Sequence, residues 1–168
     1  MPMTHRERVL CALSHREPDR IPIDLGGTES SGMTAGAYLN LCGRIGIADT
    51  PRLFDVSQQV TLISDEVRRR FSLDTVPLVF EPTGWSSDTT ADGRPVLSPS
   101  GWRPEMQQDG SRVVRNPDGQ AVARMPAGGL YYDSTVWPLA NVSKPSDLRK
   151  YKRHFEQFDK PDFLDEGW

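Results

Sequence analysis

Two short apolar runs bracket a stretch of helical periodicity, and this arrangement limits the fold more than any other feature of the chain. The first run is Arg20-Ile21-Pro22-Ile23-Asp24-Leu25, closed by Gly26-Gly27. The second is Thr75-Val76-Pro77-Leu78-Val79-Phe80, closed by Glu81-Pro82-Thr83-Gly84. Brief apolar runs bounded by turn residues read as buried strands. Parallel strands need a crossover, usually a helix, so strand, helix and strand in succession predict the βαβ unit of a parallel sheet. Pro22 weakens the first run, because it has no N–H to give to a ladder.

Helical signals fill the rest of the first 87 residues. Thr4 and Glu7 have capping-box spacing, and Val9, Leu10 and Leu13 recur at helical intervals until the Glu17-Pro18 break. Ala37, Tyr38, Leu41 and Cys42 share one face of a helix over 34–42, with Gly43 and Gly46 as stops. Val60, Ile63, Val67 and Phe71 predict a third helix, capped by Asp55 or Ser57 and running through Phe71.

From Asp88 the texture changes. Asp92-Gly93, Asp109-Gly110 and Asp118-Gly119 punctuate segments such as Arg112-Val113-Val114-Arg115, which predicts a small antiparallel meander over 88–137. Trp102, Tyr131, Tyr132 and Trp137 are available to cover it. Residues 138–168 open on the turn Pro138-Leu139, continue as a capped helix over 143–151 with Pro145 in its first turn, and end in a tail without period.

At 168 residues the chain has the size of one ordinary domain. Its 20 Lys and Arg against 23 Asp and Glu leave a net charge of -3, which supplies no field to recruit nucleic acid or an anionic membrane. The clusters Arg68-Arg69-Arg70 and Arg149 to Arg153 lie in helix-like segments between acids and read as solvated faces. No stretch is apolar for the length of a membrane span, and the charged N-terminus lacks a signal pattern, so a cytoplasmic location is expected. Cys11 and Cys42 lie among apolar neighbours, which suits reduced, buried thiols. There is no Gly-x-Gly-x-x-Gly, no phosphate-binding Gly-Lys-Ser or Gly-Lys-Thr, and no Gly-x-Ser-x-Gly elbow.

Several residues in order carry a family resemblance. Arg6-Glu7-Arg8-Val9-Leu10 with Ala12-Leu13 is followed by His15-Arg16-Glu17-Pro18-Asp19-Arg20-Ile21-Pro22. Then come Asp24-Leu25-Gly26-Gly27-Thr28, Tyr38-Leu39, Arg52-Leu53-Phe54-Asp55, Gln58-Gln59, Arg70-Phe71, Leu73-Asp74, Trp137-Pro138-Leu139 and Asp147-Leu148-Arg149-Lys150-Tyr151. This series resembles the N-terminal portion of the uroporphyrinogen decarboxylase (URO-D)-like superfamily, in particular its corrinoid-linked methyltransferase branch.

The resemblance implies an α/β fold, the N-terminal part of a (β/α)8 TIM-type barrel whose strands are 21–25 and 76–80, with the meander as an insertion. Active sites of such barrels lie at the C-terminal ends of the strands. Here those positions are Asp24, Gly26, Gly27 and Thr28 after the first strand and Glu81 after the second. They stand as substrate-binding candidates: glycines for close backbone approach, a hydroxyl, and carboxylates for binding or proton transfer.

True decarboxylases of the superfamily carry an arginine-bearing loop after the first strand and an aspartate after the second, whereas this chain has Gly26-Gly27-Thr28 and Glu81. The methyltransferase branch therefore fits better, acting as a cobalamin-dependent enzyme that moves a methyl group between a corrinoid and a thiol or similar acceptor. In that branch zinc is held by a histidine and two cysteines, and His5, His15, His154, Cys11 and Cys42 form no matching pair. The zinc ligands fall in the other half of such a protein, so this chain by itself is expected to hold neither zinc nor corrinoid and to be inactive alone. Its expected partners are a corrinoid protein or a C-terminal half of the barrel, and a homo-oligomer is compatible with it. Two alternatives stand beside this reading: a non-enzymatic interaction or assembly module, and a divergent uroporphyrinogen decarboxylase.

Overall fold

The computed structural model describes residues 2–79, 82–137 and 139–151. The chain divides into two compact units, Met1–Thr135 and Val136–Trp168. No helix among the described residues is long and apolar enough to cross a membrane.

The first unit opens with helix α1, His5–Leu13, where Thr4 and Glu7 close a reciprocal capping box: Glu7 N donates to Thr4 Oγ1 at 3.2 Å and Thr4 N to Glu7 Oε2 at 2.9 Å. Such caps are worth about 1 kcal/mol. Strand β1, Met33–Thr34, leads into helix α2, Ala35–Ile45, which ends at Gly46. Strands β2, Leu53–Asp55, and β3, Val60–Thr61, join β1 in an antiparallel sheet of order β1-β3-β2.

Helix α3 spans only Asp65–Phe71 and is capped by Ser64, not by Asp55 or Ser57 as the spacing predicts. Asp55 is spent otherwise. Its Oδ1 accepts from Ser57 N and Gln58 N at 2.8 and 2.9 Å, which closes the β2–β3 turn and leaves Val60 and Thr61 as the central strand. Val60 and Ile63 are thus buried by a strand and a loop, a case where apolar spacing matched a helix that tertiary pairing displaced.

Residues 21–25 and 75–79 form no regular strand. They lie side by side, held mainly by side chains. Asp74 N donates to Ile23 O at 2.8 Å, Ile23 N donates to Asp74 Oδ2 at 2.8 Å, and Thr75 Oγ1 donates to Asp24 Oδ1 at 2.5 Å. These contacts join the two segments at one point, residues 23–24 against 74–75. Pro22 and Pro77 cannot donate, and a carboxylate takes the place of a ladder carbonyl, so the repeating bonds of a sheet are missing. Phe80 lies outside the described residues.

Asp74 is the anchor of this region. Its side chain has no exposed surface, and it accepts from Arg8 and Arg20, each at 2.6 Å, and from His5 Nδ1 at 2.8 Å. Arg8 also binds Asp19 at 2.6 Å, which ties α1 to the segment that follows it.

A core of Tyr38, Cys42, Ile63, Val67 and Leu73 joins α2 to α3. The Tyr38 hydroxyl donates to Asp49 Oδ2 at 2.6 Å and meets Ser64 Oγ at 2.9 Å. Hairpin β4, Trp85–Thr89, with β5, Pro95–Pro99, follows. Leu97 N donates to Pro51 O at 2.8 Å, which attaches it to β2. A four-stranded antiparallel sheet comes next: β6, Pro104–Met106; β7, Arg112–Arg115; β8, Ala121–Met125; and β9, Asp133–Ser134, in sequence order. Its turns fall at Gly110 and Gly119, and that of the preceding hairpin at Gly93. Trp102 and Tyr132 meet edge to face at 5.1 Å over this sheet, whereas Tyr131 is exposed. Arg112 links sheet and hairpin by donating to Thr89 O at 2.5 Å and Thr90 O at 3.0 Å.

In the second unit, Pro145–Tyr151 forms a 3-10 helix rather than the α-helix predicted over 143–151. Asp147 Oδ2 accepts from Ser143 N at 3.2 Å and Lys144 N at 3.3 Å. The tail from 152 onward lies outside the described residues.

Candidate functional site

The loop after residues 21–25 folds back on itself through short hydrogen bonds. Gly26 N donates to Ser31 O at 2.8 Å, Thr28 N to Ser31 Oγ at 3.0 Å, and the Thr28 and Ser31 hydroxyls meet at 3.1 Å. Gly26 adopts φ +76°, and a Cβ there would press on Ile63 Cγ1 at 2.6 Å, so the position needs glycine on two counts. At Gly27 a Cβ would run into Asp24 Oδ1 and, at 2.9 Å, Thr75 Oγ1.

Asp24 holds the base of this loop. Its Oδ1 accepts from Gly27 N at 2.9 Å as well as from Thr75. Desolvation pushes the Asp24 carboxyl up, but hydrogen bonds from the Thr75 and Ser31 hydroxyls and the Gly27 N–H outweigh it and hold the carboxyl below its ordinary range. Asp24 is therefore an ionised acceptor at neutral pH, suited to positioning and binding rather than to donating a proton.

Gly27, Thr28, Glu29 and Ser30 form one wall of an open cleft of about 560 Å³, and Phe54 with residues 77–79 forms the other. A smaller apolar hollow of about 60 Å³ adjoins it. Phe54 and Val79 line both, and Leu53, Leu62, Trp85 and Pro99 complete the hollow with Pro82. Arg52 is not in its wall; its guanidinium lies over the Trp85 ring at 5.9 Å.

No family model matches this chain, and no curated protein or solved structure matches it significantly. The chemistry of the site thus rests on its own residues.

Of the five sequence candidates, the structure brings Gly27 and Thr28 to the cleft, while Asp24 holds the base of the loop through Gly27 N and Thr75 without lining it. Gly26 shapes the turn behind it against Ile63, and Glu81 lies outside the described residues. Thr75, Glu29, Ser30 and Phe54 escaped sequence reasoning. Thr75 and Glu29 carry no motif, and Phe54 reaches the cleft only because β2 folds alongside.

Cys11 Sγ donates to Arg16 O at 3.5 Å, Cys42 is packed in the core against Tyr38, and His5 is bound to Asp74. Both cysteines are buried and free, and no group of three His, Cys, Asp or Glu placed to hold a metal occurs among the described residues.

Proposed function

We propose that this chain is the N-terminal portion of a (β/α)8 barrel of the URO-D-like superfamily, on its cobalamin-dependent methyltransferase branch. In this reading it supplies one wall of the substrate site, and the remaining strands and the zinc ligands belong to the C-terminal half of the barrel. The observation that carries the reading is the contact of Ile23 and Asp24 with Asp74 and Thr75. Two extended segments, separated in sequence by α2 and α3, touch there, and the loop after the first meets the end of the second at the cleft. Ligand sites of parallel α/β folds lie at that end of the strands.

Exposure supports the same reading. Ile21 is 82% exposed, Val76 69% and Leu78 75%, an apolar burden of the kind that flanking strands and helices remove from water. A decarboxylase acting on an acidic tetrapyrrole fits less well, because the described lining of the cleft includes no cationic residue.

Complementation tests the proposal. The chain alone is expected to bind a hydrophobic dye and to self-associate in sedimentation. Mixed with the C-terminal half of a corrinoid-linked methyltransferase of this superfamily, it is expected to form a one-to-one, zinc-containing species that moves a methyl group from methylcobalamin to a thiol. A discrete, dye-free monomer or dimer that ignores such a half would instead identify a self-sufficient interaction module.

A further inference from the structure

The cleft and the hollow beside it divide their chemistry sharply. The hollow is walled by Leu53, Leu62, Trp85 and Pro99, and its volume of about 60 Å³ admits only a few heavy atoms. A cavity that takes benzene measures about 150 Å³. The cleft mouth is polar: Thr28, Glu29 and Ser30 line it, the Thr28 hydroxyl meeting Ser31, and Glu29 is its one charged residue among those described. No Lys, Arg or His is among the described lining residues of either space.

We propose that the two spaces form one binding site for a small amphiphile. A short branched alkyl group enters the hollow between Phe54 and Val79, and a hydroxyl or ammonium head stays at the mouth against Thr28, Glu29 and Ser30. The alkyl group leaves water for an apolar enclosure, which is favourable without any directional contact. The head finds acceptors, and a cation gains Coulomb attraction from Glu29, whereas an anion of the same shape meets that carboxylate and no cationic residue in the described lining. The inference rests on the proposed placement of the substrate site at this cleft, and it adds the ligand class: small, singly alkylated, neutral or cationic.

Three isosteric probes differing only in the head test it on the full chain: isobutylamine, isobutanol and isobutyrate. Each is titrated while amide signals of residues 27–30 and the Trp85 indole signal, assigned with Trp85→Phe, are followed by NMR. The amine is expected to bind about two- to fivefold more tightly than the alcohol, the range of an exposed ion pair, with both shifting the two sets of signals together. Isobutyrate is expected to bind more weakly than either.

Glu29→Gln is expected to abolish the amine's advantage, weakening the amine more than the alcohol. Should that variant misfold, 1 M salt on the unmodified chain is expected to shrink the same advantage. Isobutyrate binding as tightly as the amine, binding that leaves Trp85 unmoved, or no binding by any probe would overturn the ligand class. These readouts do not require a second half. Probe binding without complementation therefore strikes the barrel proposal alone, and complementation without probe binding strikes this one alone.

Discussion

Thr75 Oγ1 donates to Asp24 Oδ1 at 2.5 Å across 51 positions of sequence, and the same oxygen accepts from Gly27 N at 2.9 Å. One carboxylate oxygen thus joins two extended segments and sets the entry of the cleft loop. Thr75→Val keeps the shape and removes the donor. We expect it to cost about 1 kcal/mol in chemical denaturation, the net worth of one hydrogen bond. The Asp24 carboxyl should then titrate higher, followed by carboxyl-carbon NMR, because one of the bonds favouring its ionised form is gone.

Asp74→Asn should be far more damaging, since it removes the charge shared by Arg8, Arg20 and His5 at a fully buried side chain. Breaking such a network leaves Arg8 buried without full compensation, and a loss of about 3 kcal/mol is expected in urea unfolding.

Acid should find the same network. Burial pushes the Asp74 carboxyl up, but the Ile23 N–H, Arg20, His5 and Arg8 outweigh it and hold the carboxyl far below its ordinary range. The Arg8 guanidinium holds Asp19 down to about 2, against an ordinary value near 3.8. Carboxyls depressed in the folded state stabilise it fully above the ordinary value, and that contribution is lost as pH falls through the folded one. Stability followed by circular dichroism should be level near neutrality and fall from about pH 4 to 2, with Asp74 extending the loss lower. The slope should be shallower in Asp74→Asn.

Tyr132→Phe should be neutral or stabilising by up to about 1 kcal/mol, although the ring is only 6% exposed. The Tyr132 hydroxyl makes no well-formed hydrogen bond among the described residues, with Arg112 and Trp102 only weakly placed against it, while the edge-to-face contact with Trp102 belongs to the ring and survives. A thermal melt well below that of the parent would show that the hydroxyl is satisfied in solution.

Ile21→Lys with Leu78→Lys should leave unfolding free energy within about 0.5 kcal/mol of the parent, as exposed sites do, because the two positions are 82% and 75% exposed. The variant should sediment with less self-association and bind less hydrophobic dye. If the barrel proposal holds, it should also lose complementation by a second half, since two charges would then enter a buried sheet.

Local signals carry the parts of this protein that depend only on neighbours in sequence. The Thr4–Glu7 capping box, the apolar face of Tyr38 and Cys42, and the Gly93, Gly110 and Gly119 turns are all legible, because each needs a side chain and a backbone a few residues apart. The loop at Asp24, Gly27 and Thr28 is legible for the same reason: glycines next to short hydroxyl side chains fold on themselves.

What lay beyond the sequence depends on long-range choices. Asp55 is equally suited to capping a helix or closing a turn, and the pairing of β3 with β1 and β2 decided for the turn. Residues 21–25 and 75–79 have strand composition, yet a ladder requires N–H and C=O groups on an adjacent backbone. Prolines and the Asp74 carboxylate occupy those places instead. The cleft itself is a tertiary product: Phe54 from β2, Glu29 from the loop and Val79 from a segment far along the chain face one space. The sequence alone determined the first two helices, the glycine turns and the loop chemistry because those energies are local. Only the tertiary structure decided which segments pair and which side chains share a site, since these depend on contacts whose separation in sequence leaves no periodic mark.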